Sequence, residues 1–74
     1  MKAGDAVREV MKLNEIGVNQ LADKMGKSPR LVSERLAQEN ISVKKLNEML
    51  RIMGYKTVIV PRGTRPPADS FEIE

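Results

Sequence analysis

Two absences define the chemistry open to this 74-residue chain: it contains no histidine and no cysteine. A Ser–His or Cys–His nucleophile, a histidine acid–base and a His-ligated zinc are therefore excluded. So are a thiolate metal site and a disulfide framework. Carboxylates remain, but Glu9, Glu15, Glu34 and Glu39 are scattered along polar helix faces rather than paired for acid–base work. Gly63 stands isolated between Arg62 and Thr64, so there is no glycine-rich phosphate loop. What is left is reversible recognition through the hydrogen bonds and charges of Arg, Lys, Asn, Gln and Ser. The expectation is a binding protein, not an enzyme, with no cofactor and no metal.

Size and charge narrow the class of partner. One small domain has little room for a deep substrate pocket. Residues 1–54 hold ten Lys/Arg and seven Asp/Glu, whereas residues 55–74 hold three of each. In that second part 55–65 is basic (Lys56, Arg62, Arg65) and 66–74 acidic (Asp69, Glu72, Glu74). A sequence pI near 9.5 permits phosphate binding without requiring it. One Tyr, one Phe and no Trp weigh against a single-strand or RNA reader built on base-stacking platforms. The longest apolar run is Val58-Ile59-Val60 and nothing reads as a signal peptide or a membrane span, so a cytoplasmic protein is expected.

The elements that would position these groups read as four helices and a strand. Residues 5–14 carry Val7, Val10, Met11 and Asn14 on one face, with Asp5 able to cap the start, and Gly17 interrupts the pattern. Val18 to Met25 carries Leu21, Ala22 and Met25 at helical spacing, and Gly26 ends it by tolerating positive φ. Ser28 caps a third helix with Pro29 at its first position and Leu31, Val32 and Leu36 as its apolar residues. Ser42 caps a fourth, with the stripe Val43, Leu46, Met49, Leu50, Met53, and Gly54 stops it. After Gly54 the period changes: Tyr55 to Val60 is β-branched and aromatic, which predicts a strand ended by Pro61. The alternation of Ser70-Phe71-Glu72-Ile73-Glu74 resembles a second short strand.

The segment Val18 to Leu36 carries the most information. Two short helices are separated by only Gly26-Lys27-Ser28, with Ala22 four residues before the glycine and Val32 six after it. Helices crossing steeply at close range need a small contact residue, a turn residue with positive φ, and a second helix that buries one face and exposes the other. These residues resemble the helix-turn-helix of the phage Cro/repressor (Xre-like) family, with Leu21, Ala22, Gly26 and Val32 at framework positions. The resemblance covers roughly residues 5 to 54. Lys27 and Arg35 depart from it, standing where the family often has apolar residues, and Leu36 is placed to take over the packing role.

The resemblance implies an all-α core; with the strand read from the residues after Gly54, the expected fold is mainly α, a four-helix helix-turn-helix domain over 1–54 followed by a C-terminal β-strand or β-hairpin over 55–74. It also implies a transcriptional regulator, expected to be a repressor, binding a palindromic double-stranded operator as a homodimer. The helix at about 29–38 would enter the major groove with Ser28, Arg30, Ser33 and Glu34 at its exposed front. Arg30 can make a bidentate contact to guanine O6 and N7, and Glu34 can accept from cytosine N4. Asn19, Gln20, Lys27, Lys44 and Lys45 are the candidate phosphate contacts. The plainer alternatives are that Arg30 and Glu34 form an i,i+4 surface pair and that Lys44-Lys45 is a solvated face.

For the second part, residues 55–61 can pair with 70–74 as a hairpin, or with the same strand of a second chain across a two-fold axis. A disordered tail over 62–74 is the plainer alternative. The expected dimer interface is Tyr55, Val58, Ile59, Val60, Phe71 and Ile73, with the fourth helix contributing. The alternative function is an antitoxin-like adaptor whose acidic C-terminal tail, Asp69 to Glu74, folds onto a protein partner.

Overall fold

Local chemistry sets where most of the helices begin. The computed structural model describes all 74 residues and contains α1 (Ala3–Leu13), α2 (Val18–Met25), α3 (Pro29–Ala37) and α4 (Val43–Ile52). Ser28 Oγ accepts from the Leu31 N–H and Ser42 Oγ from the Lys45 N–H, both at 3.2 Å. Each bond satisfies one of the amides that a helix start leaves without an internal partner. Pro29 is the first residue of α3, where its missing N–H costs nothing. Gly17 caps α2, and its own N–H donates to Gln20 Oε1 at 2.7 Å. The cap expected at Asp5 does not form. Helix α1 starts two residues earlier, after Lys2, and Asp5 lies in its first turn, where a carboxylate still complements the helix dipole.

Helices α1, α2 and α4 end alike. The N–H groups of Ile16, Lys27 and Tyr55 reach back to the carbonyls of Met11, Ala22 and Leu50 at 2.9, 2.9 and 3.0 Å. Inside each, a second bond at 3.1 Å joins Glu15 to Lys12, Gly26 to Asp23 and Gly54 to Arg51. This paired ending requires a left-handed residue. Gly26 (φ 69°) and Gly54 (φ 81°) provide it, but in α1 the position is held by Glu15 at φ 53°. Gly17, which breaks the apolar pattern, has ordinary extended backbone.

The four apolar stripes meet in one core: Val7, Val10 and Met11 from α1, Leu21 and Ala22 from α2, Val32 and Leu36 from α3, and Leu46, Met49 and Leu50 from α4. Helices α2 and α3 pack against each other, and α1 and α4 close the core from the other sides. Asn14 and Val43 are not part of it. Asn14 is exposed, with Nδ2 donating to the Val10 carbonyl at 2.8 Å, and Val43 at the first turn of α4 points outward. Gly4 is buried where α1 crosses the end of α3, so close that a Cβ there would overlap the Leu36 carbonyl oxygen. No helix is long and apolar enough to cross a membrane.

The C-terminal strand or hairpin expected from Tyr55 onward is absent. Residues 55–60 are without strand pairing, and 70–74 do not return to them. The tail folds back on the start of the chain instead: the Glu74 N–H donates to the Met1 carbonyl at 2.9 Å, and the N-terminal ammonium donates to the Glu72 carbonyl at 3.3 Å. Phe71 is half-buried against the helical core. The reason is geometric. Pro61, Pro66 and Pro67 remove amide donors between the two segments, and the turn at Pro61–Thr64 and the left-handed Asp69 (φ 63°) direct the chain toward Met1. A β-rich composition forms a strand only where a partner edge is present.

Candidate nucleic-acid interface

The turn between α2 and α3 presents its side chains because its backbone is locked from both ends. Gly26 closes α2, Ser28 opens α3, and only Lys27 lies between them. Beneath the turn Ala22 and Val32 are 1% and 0% exposed, so α3 keeps one face buried. The opposite face carries Ser28, Arg30, Ser33 and Glu34, all exposed. These four expected base-reading residues therefore lie together on one accessible surface. Arg30 Nε donates to Glu34 Oε1 at 3.0 Å, with the two side chains 89% and 63% exposed. The surface pair is thus formed, and its solvated ends remain open to other partners.

The five expected phosphate contacts are also exposed, but they divide between two elements and the turn. Asn19 and Gln20 are in the first turn of α2, where the Gln20 oxygen is held by Gly17 and its NH₂ group is free to donate outward. Lys27 is in the turn. Lys44 and Lys45 are in the first turn of α4, where no acidic residue offsets them. Of the expected interface residues, Tyr55 and Phe71 pack on their own core, whereas Val58, Ile59 and Val60 are 56%, 99% and 45% exposed and Ile73 is 42% exposed.

The buried half of α3 holds a residue whose role the spacing did not reveal. Arg35 is 9% exposed, and its Nη1 donates to Glu48 Oε2 at 2.9 Å. The Arg35 hydrogen bond holds the Glu48 carboxyl below the usual glutamate range against the opposing effect of burial, and the fields of Lys44 and Lys27 add to it. Arg35 is thereby a cross-link between α3, the helix that carries Arg30 and Ser33, and α4.

Beside this cross-link run two shallow depressions that share Glu48 and Arg51 as a common wall. One is lined by Lys24, Met25, Lys27 and Ile52, the other by Lys44, Asn47, Tyr55, Lys56 and Thr57. Thr57 Oγ1 donates to Asn47 Oδ1 at 2.6 Å and pins the segment after α4 to that helix. Lys24, Arg51 and Lys56 were not among the expected contacts. The available signal was their spacing: Gln20 and Lys24 recur at i and i+4 on α2, and Lys44, Glu48 and Arg51 at i, i+4 and i+7 on α4. Compared with known proteins, the chain matches no family model, no curated protein and no solved structure.

Proposed function

We propose that this chain is a cytoplasmic, dimeric, sequence-specific double-stranded DNA-binding protein, a transcriptional regulator of the repressor kind, with α3 in the major groove. The observation that carries the reading is the α2–turn–α3 unit. Gly26 is left-handed, Ala22 and Val32 are buried beneath the turn, and Ser28, Arg30, Ser33 and Glu34 are exposed on the face opposite. This is the arrangement that a helix-turn-helix of the Cro/repressor type needs. The Arg30–Glu34 pair does not stand against it. A solvated i,i+4 pair contributes about 0.2–0.5 kcal/mol, whereas a bidentate arginine–guanine contact discriminates by about 1–3 kcal/mol, so base contact wins the exchange.

Dimerisation is part of the proposal because one recognition helix reads too few base pairs for useful specificity. The segment best suited to it is Lys56 to Val60. Its unladdered backbone and the exposed Val58, Ile59 and Val60 form an edge that a soluble monomer would not normally leave open. Pairing with the same segment of a second copy satisfies the backbone and buries the valines. The tail-binding alternative has less support, since Phe71 and the backbone of Glu72 and Glu74 are already engaged by the chain's own core and N-terminus.

The test is selection of bound duplexes from a random library, performed with the wild type and with Arg30→Ala. Enrichment of a palindrome with half-sites about one helical turn apart, and relaxation of one position per half-site in the variant, is the expected result. No enriched sequence from the wild type would overturn the reading.

A further inference from the structure

A cluster of cations without ion-pair partners lies away from the front of α3, where Arg30 is paired with Glu34. It lies along the seam between α2 and α4. Lys24 and Lys27 line one side; Lys44, Arg51 and Lys56 line the other. The only acid lining the two depressions is Glu48, and Arg35 already neutralises it. The three ion pairs of the chain are Lys2–Glu39, Arg30–Glu34 and Arg35–Glu48, so none of the five seam lysines and arginines has a carboxylate partner. Counting Arg35, six of the thirteen cations gather here against one of the ten acids, in a chain whose net charge is only +3. Unpaired cations concentrated to this degree repel one another and weaken the fold unless something anionic offsets them.

We infer that the α2–α4 seam is a second phosphate track, and that Lys24, Arg51 and Lys56 bind the backbone of duplex DNA flanking the bases read by α3. This rests on the reading above and extends it. The duplex is favoured over an acidic protein segment for three reasons. The seam is continuous with the candidate base-reading face, because Lys27 immediately precedes Ser28, the cap of α3. Gln20, a phosphate contact expected from the sequence, stands one turn before Lys24 on α2, so one row runs from the start of that helix to the turn. The depressions are shallow and most of the residues lining them are charged or polar, with Met25, Ile52 and Tyr55 as the only large apolar side chains, so they offer cations for a phosphodiester chain and few apolar anchors for a peptide.

The test is a Lys24→Gln, Arg51→Gln, Lys56→Gln variant. All three residues are exposed, and a thermal melt of the free variant no lower than that of the wild type verifies folding. Binding to the selected operator and to a 30-bp duplex of unrelated sequence, about three turns of B-DNA, is titrated from 50 to 200 mM salt. The log–log salt slope should flatten by about 0.9 for each phosphate that the variant no longer neutralises, close to 2.7 for three. Affinity for both duplexes should fall together at low salt, and the sequence preferred in a library selection should not change. A slope within half a unit of wild type, with operator binding intact, overturns the track and leaves the α3 reading standing. Absence of any duplex binding by the wild type overturns both. A fluorescent polyglutamate peptide gives the third arm: if it binds the wild type, fails to bind the variant and leaves the DNA salt slope unmoved, the seam is a protein-docking surface and the track is wrong.

Discussion

Arg35 of α3 and Glu48 of α4 form an ion pair at 2.9 Å whose arginine is almost wholly enclosed while its carboxylate is about one-third exposed. The asymmetry predicts unequal mutants. Glu48→Ala leaves a buried guanidinium with no partner, which is the costly way to break such a pair. Arg35→Leu fills the same space with apolar atoms and leaves a carboxylate that solvent, Lys44 and Lys27 can still stabilise. Chemical denaturation should therefore find Glu48→Ala clearly destabilised and Arg35→Leu near or above wild type. Equal losses would mean that the pair itself, rather than the enclosure of Arg35, dominates.

The same pair sets a pH dependence. Because the folded-state pKa of Glu48 is lowered, first by the Arg35 hydrogen bond, its contribution is complete above the ordinary glutamate range. The contribution is lost as pH falls through that range and the lowered folded value below it. The difference in melting temperature between wild type and Glu48→Gln should be constant near neutrality and shrink on acidification. A difference that grows as pH falls would contradict the direction of the shift.

Gly4 predicts a steric limit. Its missing side chain lets α1 approach the Leu36 carbonyl at the end of α3, and a backbone oxygen cannot swing aside. Gly4→Ala should destabilise by about 1–3 kcal/mol, as overpacking does, despite the better helix propensity of alanine. A melt showing Gly4→Ala equal to or more stable than wild type would place the helices farther apart.

The three matching helix ends predict opposite effects at equivalent positions. Glu15 holds the left-handed site without being glycine, so Glu15→Gly should stabilise by about 1 kcal/mol. That corresponds to roughly 4–8 °C in a domain of this size. Gly26→Val should destabilise, and through backbone strain alone, since nothing stands within 4 Å of where its Cβ would be. Thermal melts of the two variants read both signs.

The proposed dimer predicts that Val58→Asp, Val60→Asp yields a monomer by sedimentation that binds a half-site but no longer holds the full operator. Both side chains are already exposed in the single chain, so the helical domain should melt as the wild type does if compared below the dimer dissociation constant. A variant that stays dimeric would move the interface to α4, whose Val43 and Ile52 are also exposed.

The four helices and their core were legible in the sequence because they depend on local chemistry. Serine caps, a first-position proline, terminal glycines and apolar residues at three and four are each decided within a turn or two of chain. The residues at the front of α3 were legible for the same reason: once Val32 and Leu36 face inward, helical geometry sends Arg30, Ser33 and Glu34 outward. What tertiary structure decided involves partners far apart in the chain. Helix α1 begins at Ala3 rather than Asp5 where Gly4 meets Leu36, and Arg35 is buried because Glu48 lies across from it. Tyr55 to Val60 has the composition of a strand but no edge within its own chain to pair with, because Phe71 is packed on the helical core and Glu74 is bonded to Met1. Side-chain pattern specifies which face is apolar, but a ladder or a buried charge exists only if the fold delivers its other half, and that depends on contacts that no local window of sequence contains.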